Sequence, residues 1–387
     1  MKVCVIGCWF KNDIYSHHLK TLVDAGKRQN NVDLDLVTSN CNCFSSSQKY
    51  SITEEELLDR NCSAIKIPFA PADPTKKYGK LKYYLVKGLK LNFILEPLRG
   101  ITFFMRARKC PVVHFDQVLK SFGVLSFLVL LAISKLFGKK VVVTVHELDP
   151  LQEKYISLNR YYNWADRIIV FSSTFKEQLV KAGMKMEKIE VVPYGVALEP
   201  LNGSFKRDRF IFFGGHKLLN GKGFNTLIET LDILRAKGKK SSVLIYTGEG
   251  CIGLEEGKKL VKDMHLDEYV KWSDFLSGAK MAEAYQKSIA CLVPFTGGSG
   301  RYPATAAMAN ATPVIATRKA DLPEYLGDAG IYIGESSAEE LSEAMINLMN
   351  NPDMARAFGE KGRKRAEEHF SAELISQRIF QIYAEIQ

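Results

Sequence analysis

The sequence predicts an α/β protein made of two doubly wound parallel-sheet units, and three observations carry that expectation. Short β-branched apolar runs alternate with helical patterns along the chain, as parallel strands do when helices cover both faces. The length of 387 residues exceeds what one ordinary core holds, at about 150 residues per domain. A segment without period and rich in Pro, Gly and polar residues, VPYGVALEPLNGSFKRD, places a linker near Val196 to Lys206 and divides the strands into two series. The expected organisation is residues 1–195, residues 196–370, and an amphipathic helix over 371–387 that packs back across the hinge.

The first series opens with MKVCVIGCWF, which reads as a strand start, because no small-residue cleavage site follows a long apolar stretch. Its strands are expected at Val3–Ile6, Asp33–Thr38, Ala64–Ile67, Val112–Phe115, Val141–Val145, Arg167–Phe171 and Ile189–Val192. The longest apolar run, Gly123 to Ile133, meets Lys135 before the roughly 20 residues a bilayer demands, so it reads as a buried helix. The second series is expected at Phe210–Phe213, Ser242–Tyr246, Tyr269–Trp272, Cys291–Pro294, Val314–Ala316 and Gly330–Ile333. The expected location is the cytoplasm.

Composition narrows the function. The eight cysteines show no metal-like spacing; Cys41 and Cys43 lack a second pair, so all eight read as reduced thiols. The net charge of +10 is uneven: residues 1–197 hold 29 Lys/Arg against 18 Asp/Glu, and the remainder 24 against 25. Residues 76–110 concentrate it, with ten Lys/Arg and the single acid Glu96. There Leu81, Leu85 and Leu89 recur beside Tyr78 and Tyr84, giving either a helix that touches an anionic membrane or a core helix with a solvated charged face. No nucleic-acid module accompanies the charge.

The most informative stretch runs from Cys291 to Thr317. A strand enters the glycine loop Thr296-Gly-Gly-Ser-Gly-Arg-Tyr302, the loop opens a small-residue helix, and a strand headed Pro-Val-Ile follows. This order puts backbone N–H groups and the positive end of a helix dipole at the carboxyl edge of a parallel sheet, where anions bind. Gly298, Ser299, Gly300, Arg301 and Tyr302 are therefore candidate residues for binding a nucleotide or sugar phosphate, with Arg301 read either as a phosphate contact or as a solvent-facing loop residue. A second loop, Gly214-Gly-His-Lys217 continuing to Gly221-Lys-Gly223, puts Lys222 at the first turn of the next helix and Lys217 five residues earlier, both within reach of a diphosphate.

These residues resemble the retaining glycosyltransferases of family 4, and the likeness is densest from Phe212 to Tyr325. His216-Lys-Leu-Leu-Asn-Gly-Lys-Gly223 is similar to the family's Gly-Arg-Leu-x-x-x-Lys-Gly loop. Thr247-Gly-Glu-Gly250 is similar to its glycine turn, which makes Gly248 and Glu249 candidates, and the segment opening at Trp272-Ser273 to the one lining the nucleotide base. Ala307-Met-Ala-Asn-Ala-Thr-Pro-Val-Ile315 is similar to Ala-Met-Ala-x-Gly-x-Pro-Val-Ile, with Ala311 where the family has glycine. The resemblance implies the GT-B architecture, two facing Rossmann-like domains, and transfer of a sugar with retention. The implied donor is a nucleotide sugar, UDP- or GDP-linked, with no separate cofactor. The implied acceptor is a glycan or lipid-linked glycan in surface polysaccharide assembly.

The departures matter too. The family's two glutamates eight residues apart fall, in ungapped register, on Gly298 and Ala306. A non-catalytic relative that binds a glycan or partners an active transferase is therefore the alternative. Where many relatives carry His-x-His, this chain has His114-Phe-Asp116, and Thr144-Val-His-Glu147 is similar to the family's His-Asp. The acceptor-side candidates are thus Gly7, Trp9, Asp116 and Glu147, with His146 joining Lys222 and Lys217 as catalytic candidates; Trp9 reads either as an acceptor platform or as core. No D-x-D pair sits at a strand end in the cleft, so no metal is implied.

Overall fold

The computed structural model describes residues 1–7, 32–39, 62–65, 92–116, 124–146, 160–203, 205–274, 276 and 278–387. They form two compact units, Met1–Pro193 with Ile375–Gln387, and Tyr194–Leu374.

In the first unit the strands are β1 (Lys2–Gly7), β2 (Asp33–Ser39), β3 (Cys62–Ile65), β4 (Val112–Asp116), β5 (Lys140–Thr144), β6 (Arg167–Val170) and β7 (Ile189–Val191). They form one parallel sheet in the order β3-β2-β1-β4-β5-β6-β7. The order reverses between β1 and β4, so their carboxyl ends flank a topological switch point. Alternate side chains serve two cores. Cys4, Ile6, Val113, Phe115, Val141 and Val143 pack with Phe103 of helix Asn92–Ala107 and Phe127 of helix Val124–Leu136. The latter helix is the apolar run expected to be buried; Phe127, Leu130 and Leu131 are buried in it. The opposite face, Val3, Val5, Val112 and Val142, packs against Ile375, Ile379, Phe380 and Tyr383 of helix Ala372–Glu385. Each of those apolar side chains contributes about 1.5–3 kcal/mol on burial, which binds the C-terminal helix to the first unit.

The second unit holds β8 (Arg209–Lys217), β9 (Ser242–Ile252), β10 (Val270–Ser273), β11 (Ser288–Val293), β12 (Val314–Thr317) and β13 (Gly330–Ile333) in the parallel order β10-β9-β8-β11-β12-β13. Its switch point lies between β8 and β11. Helix Pro352–His369 comes close through its own glycines: a Cβ on Gly359 would lie 2.1 Å from the Ala311 carbonyl oxygen, and one on Gly362 3.2 Å from Met308 Cγ of helix Arg301–Ala309. Ala311 itself has φ +52°, the left-handed conformation in which a helix C-terminus prefers glycine.

Two expectations need correction. The third strand starts at Cys62 rather than Ala64. The segments read as a glycine loop at Gly214 to Lys217 and a turn at Thr247 to Gly250 are strand, because β8 and β9 continue pairing through Gly215↔Thr247 and Lys217↔Ile252. Register slips at Gly215 (φ +64°) absorb the glycines as bulges instead of ending the ladder. No helix among the described residues is long and apolar enough to cross a membrane.

Candidate functional site

In the second unit the loops following β8 and β11 meet beside the switch point. The amides of Thr296 and Gly297 both donate to the Gly221 carbonyl, at 3.1 and 2.9 Å. The approach needs bare glycine: a Cβ on Gly221 would stand 3.0 Å from Gly297 Cα, and one on Gly223 would stand 1.9 Å from the Pro294 oxygen. Gly223, at φ +74°, is the N-cap of helix Phe224–Ala236, so Lys222 sits just before the helix rather than in its first turn. The Lys222 ammonium lies 4.4 Å from the centroid of the Phe295 ring and 5.7 Å from that of Phe213. A Cβ built on Gly298 would be 3.8 Å from the same nitrogen, which puts the cation between the two loops. Aromatic faces attract the ammonium and hold its stem in place.

Around this cation the other candidates divide. Thr317 Oγ1 donates to the Phe295 carbonyl at 2.7 Å and pins the second loop. Gly298 (φ +75°) and Gly300 (φ +62°) occupy left-handed backbone, and Gly300 caps helix Arg301–Ala309, whose positive dipole end faces the loop. Ser299 is half-buried between them. Arg301 is buried at the first position of that helix, where its Nη1 donates to Asp321 Oδ2 at 2.8 Å; it is not a solvent-facing loop residue. Tyr302 stands edge-on to Phe213 and Tyr194.

His216 packs on Gly248, where an added Cβ would stand 2.3 Å from Nδ1, so both belong to the β8–β9 ribbon. Gly214 lies in the same ribbon, and Lys217 is exposed on it. Ser273 ends the edge strand β10 and donates to the Asp274 carbonyl. The side chain of Glu249 lies outside the described residues.

In the first unit, neighbouring strand ends bring together residues far apart in sequence. Asp116 ends β4 opposite Thr144 of β5, and His146 follows two residues later on the same face. His146 Nε2 and Asp116 Oδ1 are 2.6 Å apart, both side chains buried, and Phe171 packs edge-on against the imidazole. One step inward on the same face, His114 bonds Thr144 Oγ1 through Nε2 at 2.7 Å and the Tyr383 hydroxyl through Nδ1 at 2.5 Å. Burial lowers the His114 pKa to about 4, opposed by Asp116 and assisted by His146, so the ring is neutral at physiological pH. Burial and the neighbouring Asp116 carboxylate push the Tyr383 hydroxyl up. Gly7 ends β1 on the other side of the switch point, while Trp9 and Glu147 lie outside the described residues. Sequence reading missed Tyr383 and Asp321. Neither left a signal: Tyr383 is 269 positions from His114, and the burial of Arg301 that calls for an acid is seen only in the fold.

Comparison with known proteins bears on this geometry. Residues 67–200 match the model of Glycosyltransferase Family 4, and residues 207–351 match that of Glycosyl transferases group 1. The two matches support a glycosyltransferase of the family 4 type. A curated relative of this glycosyltransferase, MMP alpha-(1->4)-mannosyltransferase of Mycolicibacterium hassiacum, is 26% identical over 222 residues. That match covers 56% of this chain and 53% of the relative, so the chain spans about half that relative's length. Sucrose-phosphate synthase from Thermosynechococcus elongatus has a similar structure, with TM-score 0.74 at 18% identity, covering 100% of this chain and 99% of the other. Anabaena HepE in complex with UDP and glucose gives TM-score 0.73 at 14% identity with 100% of each chain covered. These likenesses establish the GT-B fold.

Proposed function

We propose that this glycosyltransferase moves a hexosyl group from a UDP- or GDP-linked donor to a hydroxyl of a glycan or lipid-linked glycan, with retention at the anomeric carbon, in surface polysaccharide assembly. The observation that carries this reading is the Lys222 ammonium held between two glycine loops at the switch point. The bond between the anomeric carbon and the diphosphate breaks, the acceptor oxygen bonds to that carbon from the same face, and the acceptor's proton leaves with the nucleoside diphosphate. Charge grows on the departing phosphate, so a preplaced cation and the dipoles of helices Phe224–Ala236 and Arg301–Ala309 lower the barrier without a protein nucleophile. Lys217 is the second cation of this reading, and His146, oriented by Asp116, its acceptor-side polar group. A donor of this class accords with HepE, crystallised with UDP and glucose, and with the mannosyltransferase relative.

A second reading has its own observation. Gly298 adopts a conformation that glutamate rarely enters, and Ala306 is a buried methyl group, so neither position supplies a carboxylate. A non-catalytic partner of an active transferase would keep the fold without turnover. Thermal unfolding against a panel of nucleotides and sugar nucleotides separates the two. Stabilisation of about 2.7 kcal/mol at a hundredfold excess over Kd, with release of the nucleoside diphosphate on adding acceptor, supports transfer. Silence across the panel overturns it.

A further inference from the structure

The amino edge of the first unit's sheet, at the other end of the strands from Asp116 and His146, carries a surface the transfer reading does not use. Strands β4 to β7 are adjacent and parallel, so the segments that lead into them share one edge. Each segment exposes a large apolar side chain: Met105 (50% exposed) before β4, Leu136 (83%) and Phe137 (66%) before β5, Trp164 (52%) before β6, and Met186 (62%) before β7. Leu98 and Ile101 continue the line along helix Asn92–Ala107.

These side chains form one tied surface. The Phe104 and Phe137 rings lie 5.0 Å apart and join the first two segments. Lys135 binds Asp166 at 2.9 Å and joins the second to the third. Asn163 donates to the Gly183 carbonyl and accepts from the Lys185 amide, joining the third to the fourth.

The same segments, 105–111, 135–140, 160–167 and 181–188, hold eleven Lys or Arg against the two acids Asp166 and Glu187; Arg106, Arg108, Lys109, Lys135, Lys181 and Lys185 are exposed, whereas Lys139 is buried. Scattered exposed apolar residues need no explanation, but one on every connection of four adjacent strands, set among cations, does. The combination fits an interface that is both apolar and anionic. Lys and Arg meet lipid headgroups while Leu, Phe, Met and Trp enter the headgroup–acyl boundary. A nucleic acid offers nothing for Leu136 or Met186 to enter.

We propose that this edge docks the protein on an anionic lipid bilayer. The inference goes beyond sugar transfer and requires no turnover. Strands of five residues, about 3.3 Å each, hold the Asp116–His146 edge roughly 17 Å farther from that surface.

Flotation of the full chain with vesicles of phosphatidylcholine alone, or mixed with phosphatidylglycerol, tests it. Binding is expected only with phosphatidylglycerol and is released by salt. A Leu136→Ser, Met186→Ser double variant lowers the partition coefficient at least about tenfold, and Lys109→Ala lowers it about fivefold. Equal flotation with both vesicles, or variants that float like the parent, overturns the proposal. So does a dimer in solution that the double variant dissolves, which assigns the face to a second copy. Nucleotide stabilisation measured on the same preparations keeps the two readings apart: retained stabilisation with lost flotation removes docking alone.

Discussion

The two units share a topology and place polar residues at the same point of it, yet they fill that point with opposite chemistry. At the second unit's switch point the chain removes side chains: Gly221, Gly223 and Gly297 bring backbone against backbone, and a long cation, Lys222, lies half-buried over aromatic rings. At the first unit's switch point the chain adds side chains and buries them bonded to one another, Asp116 with His146 and His114 with both Thr144 and Tyr383. The first arrangement suits a multiply charged ligand that brings its own oxygens. The second fixes the orientation of neutral or paired groups and suits hydroxyls. A parallel sheet thus supplies a location, and residue choice decides which ligand chemistry that location serves.

The largest expected effect is on turnover. Lys222→Ala should lower kcat by about 10²–10³ while leaving the unfolding midpoint unchanged, since the ammonium acts on developing charge; near-normal turnover would remove the electrostatic half of the comparison. Next comes the pH response of the first unit. Because His114 titrates near 4 when folded and near 6.5 when unfolded, the unfolded chain takes up the proton first as pH falls. Stability from this group is therefore intact above pH about 6.5 and declines to about pH 4, by about 3 kcal/mol in all. His114→Gln should flatten that part of the urea-derived stability curve; an unchanged slope would show that the histidine is not held neutral.

Gly223→Ala sharpens the glycine half. A left-handed alanine whose Cβ overlaps the Pro294 carbonyl should cost at least about 2 kcal/mol in urea unfolding and weaken nucleotide stabilisation with it. Tyr383→Phe removes one buried hydrogen bond and should cost about 1 kcal/mol, read as faster amide exchange in helix Ala372–Glu385. The smallest effect is a gain: Ala311→Gly relieves a positive φ and should add about 0.5 kcal/mol.

How much of this was legible beforehand follows from the range of each interaction. Strands such as Val112–Asp116 and Val314–Thr317 are visible because burial on both faces demands consecutive apolar β-branched residues. The loop at Gly297 to Gly300 is visible because glycine marks backbone that other residues avoid. The same rule misled at Gly214 and Gly248, where glycine accommodates a bulge and the His216 ring within a continuing ladder. Tyr383 is 269 positions from His114, and nothing local in either segment announces the other. Arg301 shows the limit from the other side: its charge was legible, but whether it serves a ligand or a buried Asp321 depends on a helix 20 residues away. The exposed row at Met105, Leu136, Trp164 and Met186 was illegible for a similar reason, since it exists only once four connections stand side by side.

The return of Ile375–Gln387 to the first unit has a consequence for biosynthesis. When the nascent chain has delivered its first 193 residues, Val3, Val5, Val112 and Val142 still lack their cover. At about 5–20 residues per second the ribosome needs roughly ten to forty seconds more to make the helix that shields them. During that interval those apolar side chains stay open to water, and a chain that stops short of Ile375 never covers them.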